Sequence, residues 1–266
     1  NTGDDEVIHG VPLSPDIDSV MYALAGIEGE MGWGLANDTF TVSDEYKRFI
    51  PQNFSIGDKD LALNLYRNQL LSEGKSLTEI TKLFTEHLSL ECKLIPMTDS
   101  AVSTKLKTDD GSLLDFQEYF VEKQAKPKLT EVVYSGAENA KVSEELIMNI
   151  EESEIVVIGP SNPILSIGPI LSLNKIRDKL SEHNNVYVIN PFIKNKAIKG
   201  PSKNNFEDLG YTSDIQGIKK FYKDVGNKFI VHKGDSDRDQ DTIEQNILFN
   251  KLEDSKKLAE FIVNHE

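Results

Sequence analysis

Five carboxylates and one histidine fall within the first 18 residues: Asp4, Asp5, Glu6, Asp16, Asp18 and His9. Carboxylate oxygens are the ligands that a hard divalent cation takes, and such a cation commonly keeps several waters as well. The acids stand in two local settings. Asn1-Thr2-Gly3-Asp4-Asp5 is a loop sequence, because glycine tolerates positive φ and Asn and Asp satisfy their own backbone in turns. Ser14-Pro15-Asp16 is a helix start, with a hydroxyl at the cap, proline at the first helical position and acid in the first turn. A loop and a helix N-terminus side by side could gather Asp4, Asp5, Asp16 and Asp18 around one ion. The plainer reading of the same residues is good capping and solvated loop acids. The chain opens inside this loop, without an initiator methionine, so a preceding strand is expected to deliver it.

Few other residues suit chemistry. HExxH, paired CxxC, GxSxG, GxxxxGK[ST] and GxGxxG are all absent. His87, His183, His232 and His265 are scattered, and Cys92 sits in an alternating stretch that reads as a strand with a buried, inert thiol. Lys59, between Asp58 and Asp60, is either a surface charge or a cation presented to a phosphate or carbonyl. Trp33, in a glycine-rich turn, is either packed under its loop or placed to stack on a planar ligand. Ser161 and Asn162 follow an apolar run, where loop amides and hydroxyls can meet a phosphate, and Ser166-Ile167-Gly168 adds a second small-residue turn. The prolines around them suit a rigid structural crossover equally well. Carboxylates, one or two lysines and small-residue loops are the inventory of metal-assisted transfer of a phosphoryl-type group, in which the protein mainly positions substrates and stabilises charge.

The elements that must position these residues follow from periodicity and composition. The chain has 266 residues and a net charge of −15, from 29 basic and 44 acidic residues, which argues against a nucleic-acid backbone as partner. A nucleotide held by amides and a metal remains compatible with that charge. A single cysteine excludes an internal disulfide and fits a reducing cytoplasm, and no apolar run is long enough to span a membrane. Helical spacing predicts helices over 18–25, 41–49 with Ser43 as cap, 61–72 capped by Asp60, and 77–88. Strands are expected at 93–96, 102–108, 113–121 and 130–134, with a turn at Asp109-Asp110-Gly111. From Val142 onward, apolar β-branched runs at 154–159, 185–193, 228–232 and 246–249 alternate with helices at 143–152, 174–183 and 254–264. The first of these runs reads as a strand buried on both faces. The alternation predicts an α/β fold: a mostly parallel sheet with helices on both faces, hence three layers, with ligands at the carboxyl ends of its strands. The helical and antiparallel β stretch at 36–135 reads as an inserted subdomain, leaving 1–35 and 136–266 as the core domain.

Several motifs occur together and in order: Asn1-Thr2-Gly3-Asp4-Asp5 with His9-Gly10, Pro15-Asp16-Ile17-Asp18 before Met21-Tyr22, Gly32-Trp33-Gly34, Gly57-Asp58-Lys59-Asp60, Pro96-Met97-Thr98-Asp99, Phe116-Gln117-Glu118, and Pro160-Ser161-Asn162-Pro163 with Ser166-Ile167-Gly168-Pro169. In this order they closely resemble the 2-phospho-L-lactate transferase family, from Asn1 to about Tyr222. The resemblance implies a Rossmann-like core with an inserted smaller domain, a homodimer, and a place in the synthesis of the deazaflavin coenzyme F(420). It implies that lactyl-2-diphospho-5′-guanosine, or its enolpyruvyl analogue, donates its phosphoester portion to a ribityl hydroxyl of 7,8-didemethyl-8-hydroxy-5-deazariboflavin. GMP leaves and magnesium assists. Under the resemblance Asp4, Asp5, Asp16 and Asp18 would hold the magnesium, and Asp4 or Asp18 would orient or deprotonate the attacking hydroxyl. Lys59, where the family usually carries Arg, would contact the deazaflavin or the donor, at the loss of a bidentate fork. Ser161 and Asn162 would line the guanine-nucleotide pocket, and Asp5, His9, Asp16, Trp33, Asp58, Asp99 and Ser166 complete the expected substrate contacts.

Two departures stand out. The family's opening strand and Gly-Gly-Thr-Gly-like loop are expected upstream of Asn1, and Asn246-Ile247-Leu248-Phe249-Asn250 stands where the family has a Thr-Asp-Thr-Leu-Met-like segment. A related group of nucleotide-sugar-binding regulators, without enzymatic activity, offers the alternative. Its members tend to carry a Gly-Gly-Ser-Ser-like run after the paired aspartates, where this chain has Glu6-Val7-Ile8-His9-Gly10.

Overall fold

Proline at a first helical position has the φ that a helix needs and no N–H to lose. In the computed structural model, which describes residues 1–8, 10–29, 32–50, 55–198, 200–235, 242–249 and 251–265, α1 (Pro15–Ala25) begins at such a proline and stops at Gly26, which takes the left-handed conformation at φ 68°. Contacts divide the chain into two compact units. The first comprises Asn1–Leu106, Leu113–Pro127 and Val133–Ser143; the second comprises Lys107–Ser112, Lys128–Val132 and Glu144–Glu266.

In the first unit, β1 (Glu6–Ile8) and β2 (Val11–Leu13) form an antiparallel hairpin that delivers the chain into α1. Three helices follow: α2 (Thr41–Lys47), α3 (Asp58–Ser72) and α4 (Leu77–His87). The last opens with a reciprocal capping box, Ser76 Oγ accepting from the Glu79 N–H and the Glu79 carboxylate accepting from the Ser76 N–H. Met21 and Tyr22 of α1 share one core with Leu70, Ile80 and Phe84, so the opening residues pack with the helices that follow them. Beyond α4 the strands are β3 (Ser103–Thr108), β4 (Leu113–Asp115) and β5 (Leu129–Ser135), in the sheet order β4-β3-β5, of which residues 107–108 and 129–132 count with the second unit.

Four sequence expectations in this stretch are corrected. The strand expected at 113–121 stops at Asp115 and gives way to a π-helical turn, Glu118–Glu122. Helical spacing stacks Phe116 on Phe120 at 5.5 Å between ring centroids and buries Tyr119 completely. No strand forms at 93–96. Cys92 is exposed rather than buried, because the chain leaves α4 through Ser89 at φ 55° and continues as irregular loop. Ser43 does not cap α2, which starts two residues earlier; its hydroxyl donates to the Ile56 carbonyl instead.

The second unit holds the parallel sheet. Its strands are β6 (Val156–Ile158), β7 (Val186–Ile189), β10 (Lys228–His232) and β11 (Thr242–Gln245), in the order β11-β10-β7-β6. All three pairings are parallel. The helices are α5 (Glu144–Glu152), α6 (Gly168–Leu171), α7 (Asn174–Glu182), α8 (Ser202–Asp208), α9 (Ile215–Phe221) and α10 (Leu252–Asn264), and β8 (Phe192–Ile193) pairs antiparallel with β9 (Lys196–Ala197). Every residue of β7 is buried, which is why its sequence runs apolar without alternation. Tyr187, Ile189 and Ile230 pack with Leu258 and Ile262 of α10. On the strands' other side the chain comes close at Gly226, where a Cβ would lie 2.6 Å from Val188 Cγ2. β6, expected to be buried on both faces, is an edge strand of this sheet among the described residues, and Val157 is 46% exposed. The fourth strand lies at 242–245 instead of 246–249, because the Asn246 side chain accepts from the Leu248 N–H and turns the chain, leaving Ile247 as a single inward residue.

Candidate functional site

The opening loop is held by its own side chains. Asn1 Oδ1 accepts from the Gly3 N–H at 2.8 Å, Asn1 Nδ2 donates to Asp4 Oδ1 at 3.1 Å, and the Gly3 carbonyl accepts from the Thr104 N–H of β3 at 2.7 Å. Asp4 is left 6% exposed. Ser14 leaves its own helix uncapped and donates to Asp5 Oδ2 at 2.8 Å, which ties the loop to the start of α1. A cavity of about 30 Å3, lined among others by Gly3, Asp4, Asp5, Ser103, Thr104 and Phe116, lies at this place; that is room for a water-sized occupant. Asp5 Oδ1, Glu6 Oε2, Thr2 Oγ1 and Thr104 Oγ1 are buried with no hydrogen-bond partner among the described residues.

Charge is crowded here. Burial first, then the neighbouring Asp16 and Asp5, hold the Asp4 carboxyl well above the usual carboxylate range. Burial pushes Asp5 up to about 7, against the pull of the Ser14 hydrogen bond and the Arg67 charge. Asp18 rises to about 6 by burial, with Arg67 opposing.

The four aspartates do not converge. Residues two apart in a helix point roughly 200° away from each other. Asp16 therefore faces Asp4, whereas Asp18 faces α3, where both of its oxygens are taken by Arg67: Nη1 donates to Oδ2 at 3.0 Å and Nη2 donates to Oδ1. Arg67 Nη1 also donates to Asn64 Oδ1; Asn64 Nδ2 donates to Asp60 Oδ1 at 3.2 Å, and Tyr22 Oη donates to the same oxygen at 2.7 Å. Asn64 and Arg67 escaped the sequence reading. Their signal was present: Asp60, Asn64 and Arg67 stand at i, i+4 and i+7, a polar stripe along one face of a helix.

This arrangement bears on the implied metal. Among the described residues no group of three or more His, Cys, Asp or Glu side chains is set to hold an ion, so the expected set of four ligands is not assembled. What is assembled fits magnesium held more sparingly. Asp4 is crowded by like charge, Asp5 has an unpartnered buried oxygen, and magnesium usually binds through one or two carboxylates, keeping waters and substrate phosphates.

The remaining candidates have mostly local work. Asp58 accepts from Thr39 Oγ1 and from the Thr41 and Val42 N–H groups, which caps α2 and lowers its pKa. Asp38 returns the favour to α3, accepting from the Lys59 and Asp60 N–H groups. The two segments come so close that a Cβ on Gly57 would strike the Asp38 carboxylate. Asp38→Ala is expected to cost about 1 kcal/mol of stability, measured by urea unfolding, as the loss of a helix cap does. Lys59 is exposed and its ammonium donates to the Asn37 carbonyl at 2.8 Å. Asp99 accepts from the Thr78 N–H at the start of α4. Trp33 is not packed beneath its loop: it is 50% exposed, on a turn that closes so tightly that a Cβ on Gly29 would meet the Trp33 carbonyl at 2.7 Å. His9 lies outside the described residues.

In the second unit, Ser161 and Asn162 do follow the carboxyl end of β6. Asn162 is committed to structure: its Oδ1 accepts from the Ile164 and Leu165 N–H groups and starts a π-helical turn, Pro163–Ile167. Ser161 is exposed, and Ser166 is half-buried within that turn.

The chain matches, over residues 1–259, the family model described as 2-phospho-L-lactate transferase CofD. A protein named 2-phospho-L-lactate transferase from Methanocaldococcus jannaschii is 35% identical over 272 residues, spanning 99% of this chain and 87% of its own. Another of that name from Methanopyrus kandleri is 37% identical over 229 residues, spanning 85% of this chain and 73% of its own. In fold, the chain is similar to a crystal structure of a UPF0052 family member from Bacillus halodurans, with a TM-score of 0.65 at 13% identity over 99% of this chain and 89% of that one.

Proposed function

The chain belongs to the 2-phospho-L-lactate transferase CofD family, and on that premise we propose that it moves the phospholactyl group, or the phosphoenolpyruvyl group, from a lactyl- or enolpyruvyl-diphosphoguanosine to 7,8-didemethyl-8-hydroxy-5-deazariboflavin, with release of GMP, in coenzyme F(420) biosynthesis. The observation that supports this reading is the buried Asp4 with the part-buried Asp5 and Asp16 pressing like charge on it, a group opposed only in part by the terminal amino group of Asn1 and, at Asp5, by Arg67. Uncompensated buried carboxylates are a liability unless a cationic partner is to bind there.

In this proposal Asp4 and Asp5 would hold magnesium, with Asp16 alongside, and the bound ion would supply positive charge against the donor's diphosphate and the GMP leaving group. The ribityl hydroxyl oxygen forms the new bond to the phosphorus that carries the lactyl group; the bridging P–O bond to GMP breaks, and its electron pair leaves with GMP. The hydroxyl proton passes to a carboxylate. Asp4, which lines the small cavity at this loop, is the carboxylate assigned that proton, in which case the ion would rest on Asp5. Lys59, exposed at the start of α3, supplies a cation for the donor or the deazaflavin. The test is incubation of the protein with magnesium, the deazaflavin and each guanosine diphosphate-linked donor in turn. GMP release and formation of the phosphodiester product are expected. No product from either donor, or tight binding of a UDP-sugar without binding of the deazaflavin, would overturn the reading.

A further inference from the structure

Arg67 has no part in the chemistry above, yet it is 1% exposed and carries a permanent charge. Its partners form one buried chain across two helices: Asp18 and Tyr22 on α1; Asp60, Asn64 and Arg67 on α3. The guanidinium also lies 5.6 Å from the centroid of the Phe84 ring of α4. Well-packed apolar residues in these places would be as stabilising or more so, since a buried ion pair rarely repays its desolvation. What a bidentate, fully enclosed pair supplies instead is direction.

That direction reaches the carboxylate site by two routes. Asp18 and Asp16 share the first turn of α1, so clamping Asp18 by both oxygens fixes the rotation of the helix about its axis and with it where Asp16 points. Ser14, just before the helix, donates to Asp5, so the seating of α1 also sets the Asp5 carboxylate. Asp16 and Asp5 are the two like charges that bear on Asp4. We propose that Arg67 is a positioning residue for the transfer reaction, acting through Asp18 to hold α1 in the rotation that places Asp16 and Asp5 against Asp4. The proposal rests on the transferase reading given above.

Arg67→Lys separates geometry from charge, because lysine keeps the cation and loses the fork. The lysine variant is expected to remain folded at the assay temperature by circular dichroism, to lose roughly tenfold or more in kcat, and to keep KM for both substrates within about threefold. Without substrates, magnesium binding measured by calorimetry is expected to weaken about fivefold or more, a change that a merely structural role in a folded protein would not produce. Asn64→Ser, which removes one of the partners of Arg67, should shift kcat and magnesium affinity in the same direction by less, and takes the place of the lysine variant if that one does not fold. Wild-type kcat and wild-type magnesium affinity in the folded variant overturn the proposal; so does a raised KM at unchanged kcat. If the wild-type protein transfers nothing, the transferase reading falls and calorimetry decides alone: weaker binding in the variant supports positioning, whereas equal binding, or none by either protein, overturns it.

Discussion

Asp4→Asn is expected to lower kcat for phospholactyl transfer by about 1,000-fold or more while leaving the protein at least as stable as the wild type. The substitution keeps the shape of the side chain, so the cavity beside Thr104 and Phe116 is not enlarged, and the amide can still accept from Asn1 Nδ2. It removes two things only. One is the negative charge that would hold a cation, and the other is the basicity that burial and the neighbouring Asp16 and Asp5 confer on this carboxyl. The fold gains by losing a crowded charge, and activity loses by the same change, which is the trade-off expected where a site is held in a destabilised state. Steady-state kinetics beside a thermal unfolding curve makes the check. An Asn variant that turns over at the wild-type rate removes Asp4 from the mechanism, and a large drop in melting temperature would mean that the carboxylate serves the fold.

With a chelator present, the protein is expected to become more stable as the pH falls from about 8 toward 5, the reverse of ordinary acid denaturation. Asp5 and Asp18 have folded-state pKa values raised to about 7 and about 6, against about 3.8 for an unfolded aspartate. Between those values the folded protein binds more protons than the unfolded chain, so stability declines as pH rises through the window and levels off above it. Two comparisons sharpen the test. Asp5→Asn should gain roughly 2 kcal/mol at pH 8, because a buried charge with an unpartnered oxygen is gone, and should flatten the pH dependence. Magnesium should raise the melting temperature of the wild type more at pH 8 than at pH 5, because binding requires the deprotonated acids. Urea unfolding across this range measures both, and stability that rises steadily from pH 5 to about 8 in chelator would contradict the burial of unpaired charge at this site.

How much of this could be read without the structure depends on the range over which each signal acts. The parallel sheet was legible in its apolar β-branched runs because β7 is buried along its whole length and leaves no choice of residue. Pro15 marked the start of α1, because the end of a helix is settled within a turn of chain. Where the signal is not local, the reading failed. The aromatic run at 116–120 fits either period, and stacking of Phe116 on Phe120 selected the helical turn. Cys92 looked buried because alternation shows a pattern but not what covers it.

The carboxylate site divides in the same way. Residue types alone established that Asp4, Asp5, Asp16 and Asp18 form an acidic opening beside a helix start, of a kind suited to a cation and a phosphate-bearing substrate. Only the tertiary structure separated them. It turned Asp18 onto Arg67, 49 positions further along the chain, left Asp16 and Asp5 to press on Asp4, and joined Tyr22 of α1 to Asp60, 38 positions further along. The reason is physical. Capping, turns and periodicity are set by a few neighbouring residues, whereas which charge is desolvated and which is paired depends on what the fold packs against it.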